Sequence, residues 1–345
     1  IDFTSSLMAT SHYNDKSVNR TFSSLEYNRQ DIRGVNEPYL NEKEPVSQAK
    51  SEVQRILDKH SKTDEHLNFF LDFETLTRET STGRHTPYLC CVVRETPGLR
   101  FDDRCKPLVN NLDRQDYAVV RDRGFTNPDW IAKQVLHWIG EVCKREGCKK
   151  ARIFAHNMKY DFRFIRNCIT QLNTIEPDGR FVVGWGLLEH KSIQKAKVYP
   201  IRISYCMISE PLGKFGKMFA LEQQKEVMPY DMYTPKNLDK RWFTLEECLA
   251  YLPPQQHDAF TKIVRGAGKK NGFYQRDVTG YKPSQWLVNI MEYAVYYCLL
   301  DCEVLRNGWN KFRDQILDVT ETMEWCPVKV DINFVNTAAK LAHSI

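Results

Sequence analysis

Four acidic residues in three separated segments constrain this chain more than any other feature of its sequence. Asp72 and Glu74 end an apolar run that predicts a buried strand, so alternation places both carboxylates on one face at the strand end. Asp161 lies four residues after Asn157, in a segment that predicts the opening of a helix. Asp301 lies late in the chain, inside a strongly helical pattern. A fold that brings these segments together creates a concentrated acidic site.

Such a site is unstable without bound cations. Two carboxylates about 5 Å apart repel each other by about 3 kcal/mol at an effective dielectric of about 20. Because all the candidate ligands carry oxygen, Mg²⁺ or Mn²⁺ fits them better than zinc. Two such ions can activate a water and stabilise a leaving oxygen in phosphodiester cleavage. The sequence therefore predicts a site for two divalent ions.

Each of these residues also has an ordinary structural interpretation. The pair Asp72 and Glu74 taken alone is as well explained by a solvated strand end, and Asn157 by a helix N-cap. Phe164 suits the core as well as it suits base stacking. Lysine is by default a solvated surface residue, which applies to Lys225 and to the basic tract 262–270. A metal site is favoured because the three acidic segments occur together, in this order and each in this structural context.

The three acidic segments resemble the Exo I, Exo II and Exo III motifs of the 3′→5′ proofreading exonuclease of family B DNA polymerases. These enzymes are DEDD nucleases with a tyrosine in the third motif, and Tyr297 stands one helical turn before Asp301, on the same helix face. The match narrows to the protein-primed branch of that family through residues beside the carboxylates. These are Thr75, His156, Asn157 and Tyr160.

A further stretch resembles the same branch. Ser204 and Tyr205 stand in a predicted strand that resembles the family's Ser-Leu element, which contacts single-stranded DNA and the terminal protein. Lys225 resembles the lysine that assists the exonuclease reaction. Two residues depart from the pattern, since Ile203 replaces the usual aspartate and Tyr205 the common leucine, and they weaken the transfer of DNA-contact roles to this strand.

The resemblance implies a proofreading 3′→5′ exonuclease portion of a protein-primed, DNA-directed DNA polymerase. It would hydrolyse single-stranded DNA 3′ ends with two Mg²⁺ or Mn²⁺ ions, and its partners would be the primer terminus and a terminal (priming) protein. The implied metal ligands are Asp72, Glu74, Asp161 and Asp301. The implied catalytic set adds Tyr297 and Lys225, and the implied DNA contacts are Thr75, His156, Asn157, Tyr160, Phe164, Ser204 and Tyr205.

Two other functions stay open. A free-standing DEDD exoribonuclease shares the carboxylates, but it should lack the strand at Ser204 and the element at Lys225. A catalytically silent module that docks DNA or a terminal protein is favoured only if metals fail to bind. Cleavage of RNA compared with DNA 3′ ends separates the first alternative from the proofreading enzyme.

The pattern along the chain predicts an α/β fold, a mixed sheet with helices on both faces as in ribonuclease H-like DEDDy exonucleases. Expected domains are an N-terminal arm with a short helix over 1–65, an exonuclease domain over 66–320 with an irregular insertion at about 234–280, and a connection toward an absent polymerase palm over 321–345. Strands are expected at 88–93, 117–121 and 151–155, and helices at 127–145 and 160–172. A further helix, or two abutting ones punctuated by Gly308, is expected at 284–317.

Composition agrees with an excised piece of an intracellular replicase. The net charge of +5 permits nucleic-acid binding without demanding it. The 11 cysteines show no Cys-x-x-Cys spacing, so reduced core thiols are expected, in a cytoplasmic, nuclear or organellar compartment that the sequence does not distinguish. Neither a signal peptide nor an apolar stretch of 18 residues is present in the sequence, so we expect no membrane insertion.

Overall fold

The computed structural model describes a large part of the chain between residues 66 and 322. The predictions of an N-terminal arm over 1–65 and of a connection over 321–345 lie outside the described residues, except that 321 and 322 end the last helix. The residues described are 66–76, 85–95, 116–122, 128–147, 150–175, 183–191, 196–205, 208, 210–222 and 225–322.

A seven-stranded mixed sheet forms the larger layer of the described residues, with strand order β3-β2-β1-β4-β7-β6-β5. β2 runs antiparallel to both of its neighbours, β1 and β3, whereas β1, β4 and β7 run parallel to one another. β6 then returns antiparallel to β7. The strands are β1 (His66–Leu76), β2 (Thr86–Arg94), β3 (Tyr117–Arg121), β4 (Lys150–Ala155), β5 (Thr170–Ile175), β6 (Val183–Lys191) and β7 (Ala196–Tyr205).

Helices cover both faces of this sheet because its central strands are apolar on both sides. On one face Phe69 meets Trp138 of helix α1 (Pro128–Arg145), with ring centroids 5.8 Å apart. On the other, Phe154 packs against Trp309 at 4.7 Å. Strand order, strand directions and this double covering confirm the predicted α/β fold with a mixed sheet and helices on both faces, and they are compatible with the ribonuclease H-like arrangement.

Helix α2 (Met158–Ile165) is shorter than the sequence predicted. The expectation of a helix to residue 172 is wrong, because a 3₁₀ turn (Arg166–Cys168) ends the helix and β5 follows. The β-branched Thr170, Thr174 and Ile175 favour the strand. Thr170 Oγ1 also donates to the Leu187 carbonyl on β6, 3.1 Å away. Pairing at the sheet edge therefore overrides the helical pattern.

Residues 234–289 are more regular than the predicted insertion. A three-stranded sheet of order β8-β10-β9 lies beside short helices, one of which begins with a capping box in which Thr244 and Glu247 satisfy each other's backbone amides. The strands are β8 (Trp242–Phe243), β9 (Tyr274–Arg276) and β10 (Trp286–Asn289). The helices are α3 (Phe215–Met218), α4 (Pro235–Lys240), α5 (Leu245–Leu249), α6 (His257–Ile263) with a π-helical turn (Val264–Gly268) after it, and α7 (Lys269–Asn271).

The last described element is a single helix, α8 (Ile290–Thr322), which runs through Gly308 without a break. Glycine stands there because a Cβ atom would lie 2.4 Å from the Phe215 ring. Residues 284–289, predicted as helix, instead contribute strand β10. Close packing against α3, and not a helix end, therefore explains this glycine.

Contact clustering divides the chain into two units. One consists of residues 66–174 and 183–311 and contains the three-stranded sheet and almost all of the large one. Of the other unit, residues 1–65, 175–182 and 312–345, only Ile175 and the end of α8 are described. Among the described residues, none of the helices is both long enough and apolar enough to cross a membrane.

Candidate metal centre

Strand β1 presents Asp72 and Glu74 on the same face, as the alternation predicts. Phe73 between them points to the opposite side, where its ring packs against Phe164 at 5.1 Å. Glu74 is only 5% exposed, while Asp72 is half-buried. The pairing with β2 shifts register directly after Glu74. Irregularities of this kind recur beside functional sites, where they redirect side chains.

Helix α2 brings Asp161 to the same strand. The backbone N–H of Phe73 donates to Asp161 Oδ1 at 3.3 Å, which ties the helix to β1 between the two strand carboxylates. Asp161 is 3% exposed. The segment that precedes it is held by backbone bonds to the Asn157 carbonyl, to which the amide of Tyr160 donates at 2.7 Å. The second acidic motif therefore meets the first through a direct hydrogen bond.

Helix α8 supplies the third motif. Tyr297 and Asp301 lie one turn apart and are both buried, as their spacing predicts. The Lys225 ammonium donates to Asp301 Oδ2, and it also lies 4.8 Å from the centre of the Tyr297 ring. Asp301 Oδ1 is buried and has no hydrogen-bond partner among the described residues. A buried carboxylate oxygen without a donor needs a ligand to satisfy it.

The four carboxyl groups influence one another's ionisation. Burial raises the pKa of Asp161 to about 8 and that of Asp301 to about 6, although the neighbouring Lys225 ammonium opposes the second shift. Burial, reinforced by the surrounding acidic groups, also raises the pKa values of Asp72 and Glu74 well above the ordinary range. These groups therefore share one poorly solvated site, in which full ionisation is unfavourable unless cations are bound.

The donor set fits divalent cations. Ligand atoms of Asp72, Glu74 and Cys298 all lie within 4.8 Å of one another, and the unpartnered oxygen of Asp301 belongs to the same electrostatic cluster. Sequence reasoning placed Cys298 among the core thiols. Its thiol instead lies at the edge of the carboxylates, where it donates to the Asp72 backbone carbonyl at 3.3 Å. Its position three residues before Asp301, on the same helix face, was the signal that could have found it.

Tyr230 is a second residue that the sequence prediction missed. Its hydroxyl hydrogen bonds to the Tyr297 hydroxyl at 2.7 Å, and 49% of the residue is exposed. Burial raises the pKa of Tyr297, so its hydroxyl stays protonated at any ordinary pH. The pair thus forms a hydroxyl chain from the surface to the acidic cluster. Tyr230 lies five residues after Lys225, a residue that the sequence predicts in the site.

A group of hydroxyl and imidazole side chains lies on the other side of Glu74. The Tyr160 hydroxyl is 2.6 Å from Thr75 Oγ1 and 2.6 Å from His85 Nδ1. We call Thr75, His85 and Tyr160 the hydroxyl cluster. Two of its members were predicted DNA contacts, whereas His85, just before β2, was not foreseen. The cluster joins the end of β1, the start of β2 and the start of α2.

Other predicted DNA contacts occupy different environments. Asn157 is exposed and makes no side-chain capping bond, so the N-cap interpretation is not supported. His156 packs edge-on against Phe215 at 5.4 Å. Burial, assisted by the positive charge of Lys225, lowers the pKa of His156 to about 4, so its ring is neutral near pH 7.

The remaining predicted DNA contacts are Phe164 on α2 and the residues Ser204 and Tyr205 on β7. Phe164 is 8% exposed and packs against Phe73 and Tyr160, which favours its core interpretation over base stacking. The backbones of Ser204 and Tyr205 pair with Phe154 and Ala155 of β4, and their side chains lie outside the described residues.

Comparisons with known proteins agree with part of this assignment. Residues 148–345, more than half of the chain, match the family described as DNA polymerase type B, organellar and viral. This match includes the second and third acidic motifs and begins after β1. Among curated proteins, the comparison found no match. Among solved structures, Phi29 DNA polymerase complexed with single-stranded DNA is 14% identical, with a TM-score of 0.37. The alignment covers 73% of this chain and 32% of that one, so the chain spans about a third of its length.

Proposed function

The chain belongs to the DNA polymerase type B family of organelles and viruses, and we propose that residues 66 to about 320 are its 3′→5′ exonuclease domain. The proposed reaction is hydrolysis of the terminal phosphodiester of single-stranded DNA, with release of a deoxynucleoside monophosphate. The observation that carries the proposal is the convergence of carboxylates from β1, α2 and α8 on one buried site, where one oxygen of Asp301 has no donor among the described residues.

We assign the four carboxylates Asp72, Glu74, Asp161 and Asp301 to the binding of two Mg²⁺ or Mn²⁺ ions. All-oxygen ligation suits these hard cations. When bound, two such ions activate a water and stabilise the leaving oxygen of a phosphodiester. The raised pKa values of Asp161 and Asp301 support the assignment, since such groups ionise readily only when positive charge is supplied.

The chain's own polar groups then orient the reactants. Glu74 and Tyr297 position the attacking water, and the hydrogen bond between the hydroxyls of Tyr230 and Tyr297 holds the latter in place. Burial alone lowers the pKa of Lys225, but the Asp301 carboxylate more than offsets this effect and keeps the ammonium charged. Its charge, adjacent to Asp301, is suited to stabilising the negative charge that develops on the scissile phosphate.

The hydroxyl cluster and the adjacent helix start would hold the unpaired 3′ strand. Thr75 and Tyr160 are beside Glu74 and Asp161 in the chain, and Asn157 presents an exposed amide one turn earlier. We extend this role to His156, Ser204 and Tyr205, with Phe164 supporting Tyr160 from the core. Unpairing a mismatch costs less than unpairing a match, which supplies selectivity for proofreading. A terminal protein is proposed as a further partner of the complete polymerase.

The proposal is tested by digestion of end-labelled oligonucleotides with purified chain and Mg²⁺. The expected products are mononucleotides released from the 3′ end of single-stranded DNA, with RNA of the same sequence cut far more slowly. Equal or faster cutting of RNA would favour a free-standing exoribonuclease. An absence of cutting together with retained DNA binding would favour a docking module. Asp161→Ala serves as the negative control for a contaminating nuclease.

A further inference from the structure

The Cys298 thiol introduces a soft ligand into an otherwise oxygen-lined site. Its sulfur lies within 4.8 Å of carboxylate oxygens of both Asp72 and Glu74. The residue is fully buried in the third turn of α8, so its position is set by the packing of the helix against β1. The thiol donates to the Asp72 backbone carbonyl and therefore faces the strand that carries both carboxylates.

We propose that Asp72, Glu74 and Cys298 form a mixed oxygen and sulfur site that binds soft divalent cations, of the class of Zn²⁺ and Cd²⁺, more tightly than Mg²⁺. A thiolate ligand favours such ions, whereas Mg²⁺ prefers oxygen alone. Ligand bonds of about 2.0–2.3 Å place neighbouring ligands of a tetrahedral zinc about 3.5 Å apart. Side-chain movements of about 1 Å would bring the three atoms to that distance.

Asp301 is the residue suited to the fourth position of the site, although its carboxylate lies outside the group of three. Asp301 lies one turn after Cys298 on the same face of α8 and is 3% exposed, and its Oδ1 has no hydrogen-bond partner in the described part of the chain. This oxygen is a separate sign of an unfilled ligand position, because buried carboxylate oxygens normally have a donor. Two carboxylates from β1, a thiolate and a third carboxylate from α8 complete a four-ligand set.

Binding exchanges a proton for the metal. The S–H bond of Cys298 breaks as the sulfur–metal bond forms, and the proton passes to the buffer. The hydrogen bond to the Asp72 carbonyl is lost in the same step. The bound soft ion would occupy the position proposed for one catalytic Mg²⁺, so Zn²⁺ at low concentration would inhibit digestion.

Cadmium binding to the purified 345-residue chain tests the site directly. After treatment with a chelator and a reductant and their removal, Cd²⁺ is added and the ultraviolet charge-transfer absorption of cadmium thiolate is recorded. We expect one thiolate per chain at the tight site. Cys298→Ser should weaken this binding at least tenfold. The matched control is Cys143→Ser on α1, which is equally buried and lies outside the ligand group.

Equal losses in the two serine variants, or an unchanged signal in Cys298→Ser, would overturn the proposal. X-ray absorption at the zinc edge of the wild-type chain gives an answer even if Cys298→Ser does not fold. One sulfur at about 2.3 Å among oxygen ligands supports the site, whereas no sulfur or several sulfurs refutes it. The three ligand atoms would bind cadmium whether or not the chain cleaves DNA. The cadmium experiment therefore tests this site even if the nuclease proposal fails.

Discussion

The polar groups on the two sides of Glu74 differ in whether the protein itself supplies their hydrogen-bond partners. On one side, Asp161 and Asp301 are buried with raised pKa values, and one oxygen of Asp301 has no donor among the described residues. On the other side, Thr75 and Tyr160 are part-buried and bond to each other and to His85. We call the side that carries Asp161 and Asp301 the acidic side. It needs bound cations to balance its buried carboxylates, whereas the members of the hydroxyl cluster supply hydrogen-bond partners to one another.

This difference separates two kinds of contribution. Groups on the acidic side depend on a bound cation, so their loss should affect both metal binding and chemistry. Members of the hydroxyl cluster hold one another in place, so losing one leaves the others with partial support. Substitutions on the two sides should therefore differ in size and in the kinetic constant they change.

The largest effect is expected from removing a carboxylate. Asp161→Ala and Asp301→Ala should each slow digestion of single-stranded DNA at least about a hundredfold, equivalent to about 3 kcal/mol of transition-state stabilisation. Single-turnover digestion measures the effect. Asp258→Ala, on the exposed face of α6, is the matched control and should behave as wild type. Wild-type digestion rates in both Asp161→Ala and Asp301→Ala would show that these carboxylates are not needed for cleavage, and the proposed difference between the two sides of Glu74 would be wrong.

Lys225→Ala should have the next largest effect, since this ammonium is the cation that the chain itself supplies to the acidic side. We expect turnover to fall about tenfold, or about 1.4 kcal/mol, while binding of single-stranded DNA hardly changes. Digestion and binding are measured on one preparation, with Lys214→Ala as an exposed-lysine control. Lost binding with unchanged turnover would instead assign Lys225 to the DNA channel.

The metal-free protein should become less stable as pH rises from about 4 to about 8. The folded-state pKa values of Asp161 and Asp301 are raised, to about 8 and about 6, above the usual value of 3.8. In this range the folded state holds protons that the unfolded state has released, so stability is greatest at low pH and is lost as pH rises through the folded pKa values. Thermal unfolding with a chelator should show a lower Tm at pH 8 than at pH 5, by at least about 2–4 °C.

Two controls accompany this titration. Excess Mg²⁺ should restore the Tm at pH 8, because the ion binds the ionised carboxylates of the folded state. Asp161→Asn should flatten the dependence of Tm on pH in the metal-free protein. An unchanged slope in that variant would show that another group is responsible.

Tyr297→Phe should have a smaller effect than any carboxylate substitution, because its hydroxyl orients water and does not bind metal in this account. We expect turnover to fall about three- to tenfold, with metal affinity unchanged. Tyr230→Phe, which removes the partner hydroxyl, should act in the same direction but more weakly. A Tyr297→Phe variant as inactive as Asp301→Ala, with its metals bound, would contradict this division of roles.

The smallest effect is expected in the hydroxyl cluster. His85→Ala leaves the bond between Thr75 and Tyr160 intact, so it should raise KM for single-stranded DNA about two- to threefold and leave kcat nearly unchanged. Steady-state digestion separates the two constants. A fall in kcat comparable to that of Lys225→Ala would place His85 on the acidic side of the comparison.

Local patterns were sufficient to predict the paired residues of the acidic side, but not Cys298 beside them. Alternation in β1 and the one-turn spacing in α8 both follow from backbone geometry, and the structure shows Asp72 with Glu74, and Tyr297 with Asp301, as expected. The end of α2 was wrong because pairing of β5 with β6 at the sheet edge is a tertiary effect. Tyr230 and His85 were missed because their partners lie 67 and 75 residues away in sequence.

The most direct test of the central claim is the number of Mn²⁺ ions that the metal-free chain binds. Titration followed by electron paramagnetic resonance counts the ions and detects magnetic coupling between neighbours. The account predicts two coupled ions in the wild-type chain, and loss of at least one ion together with the coupling in Asp301→Asn. Failure of the wild-type chain to bind manganese, or equal binding by Asp301→Asn, would contradict the claim that these four carboxylates form a two-metal site.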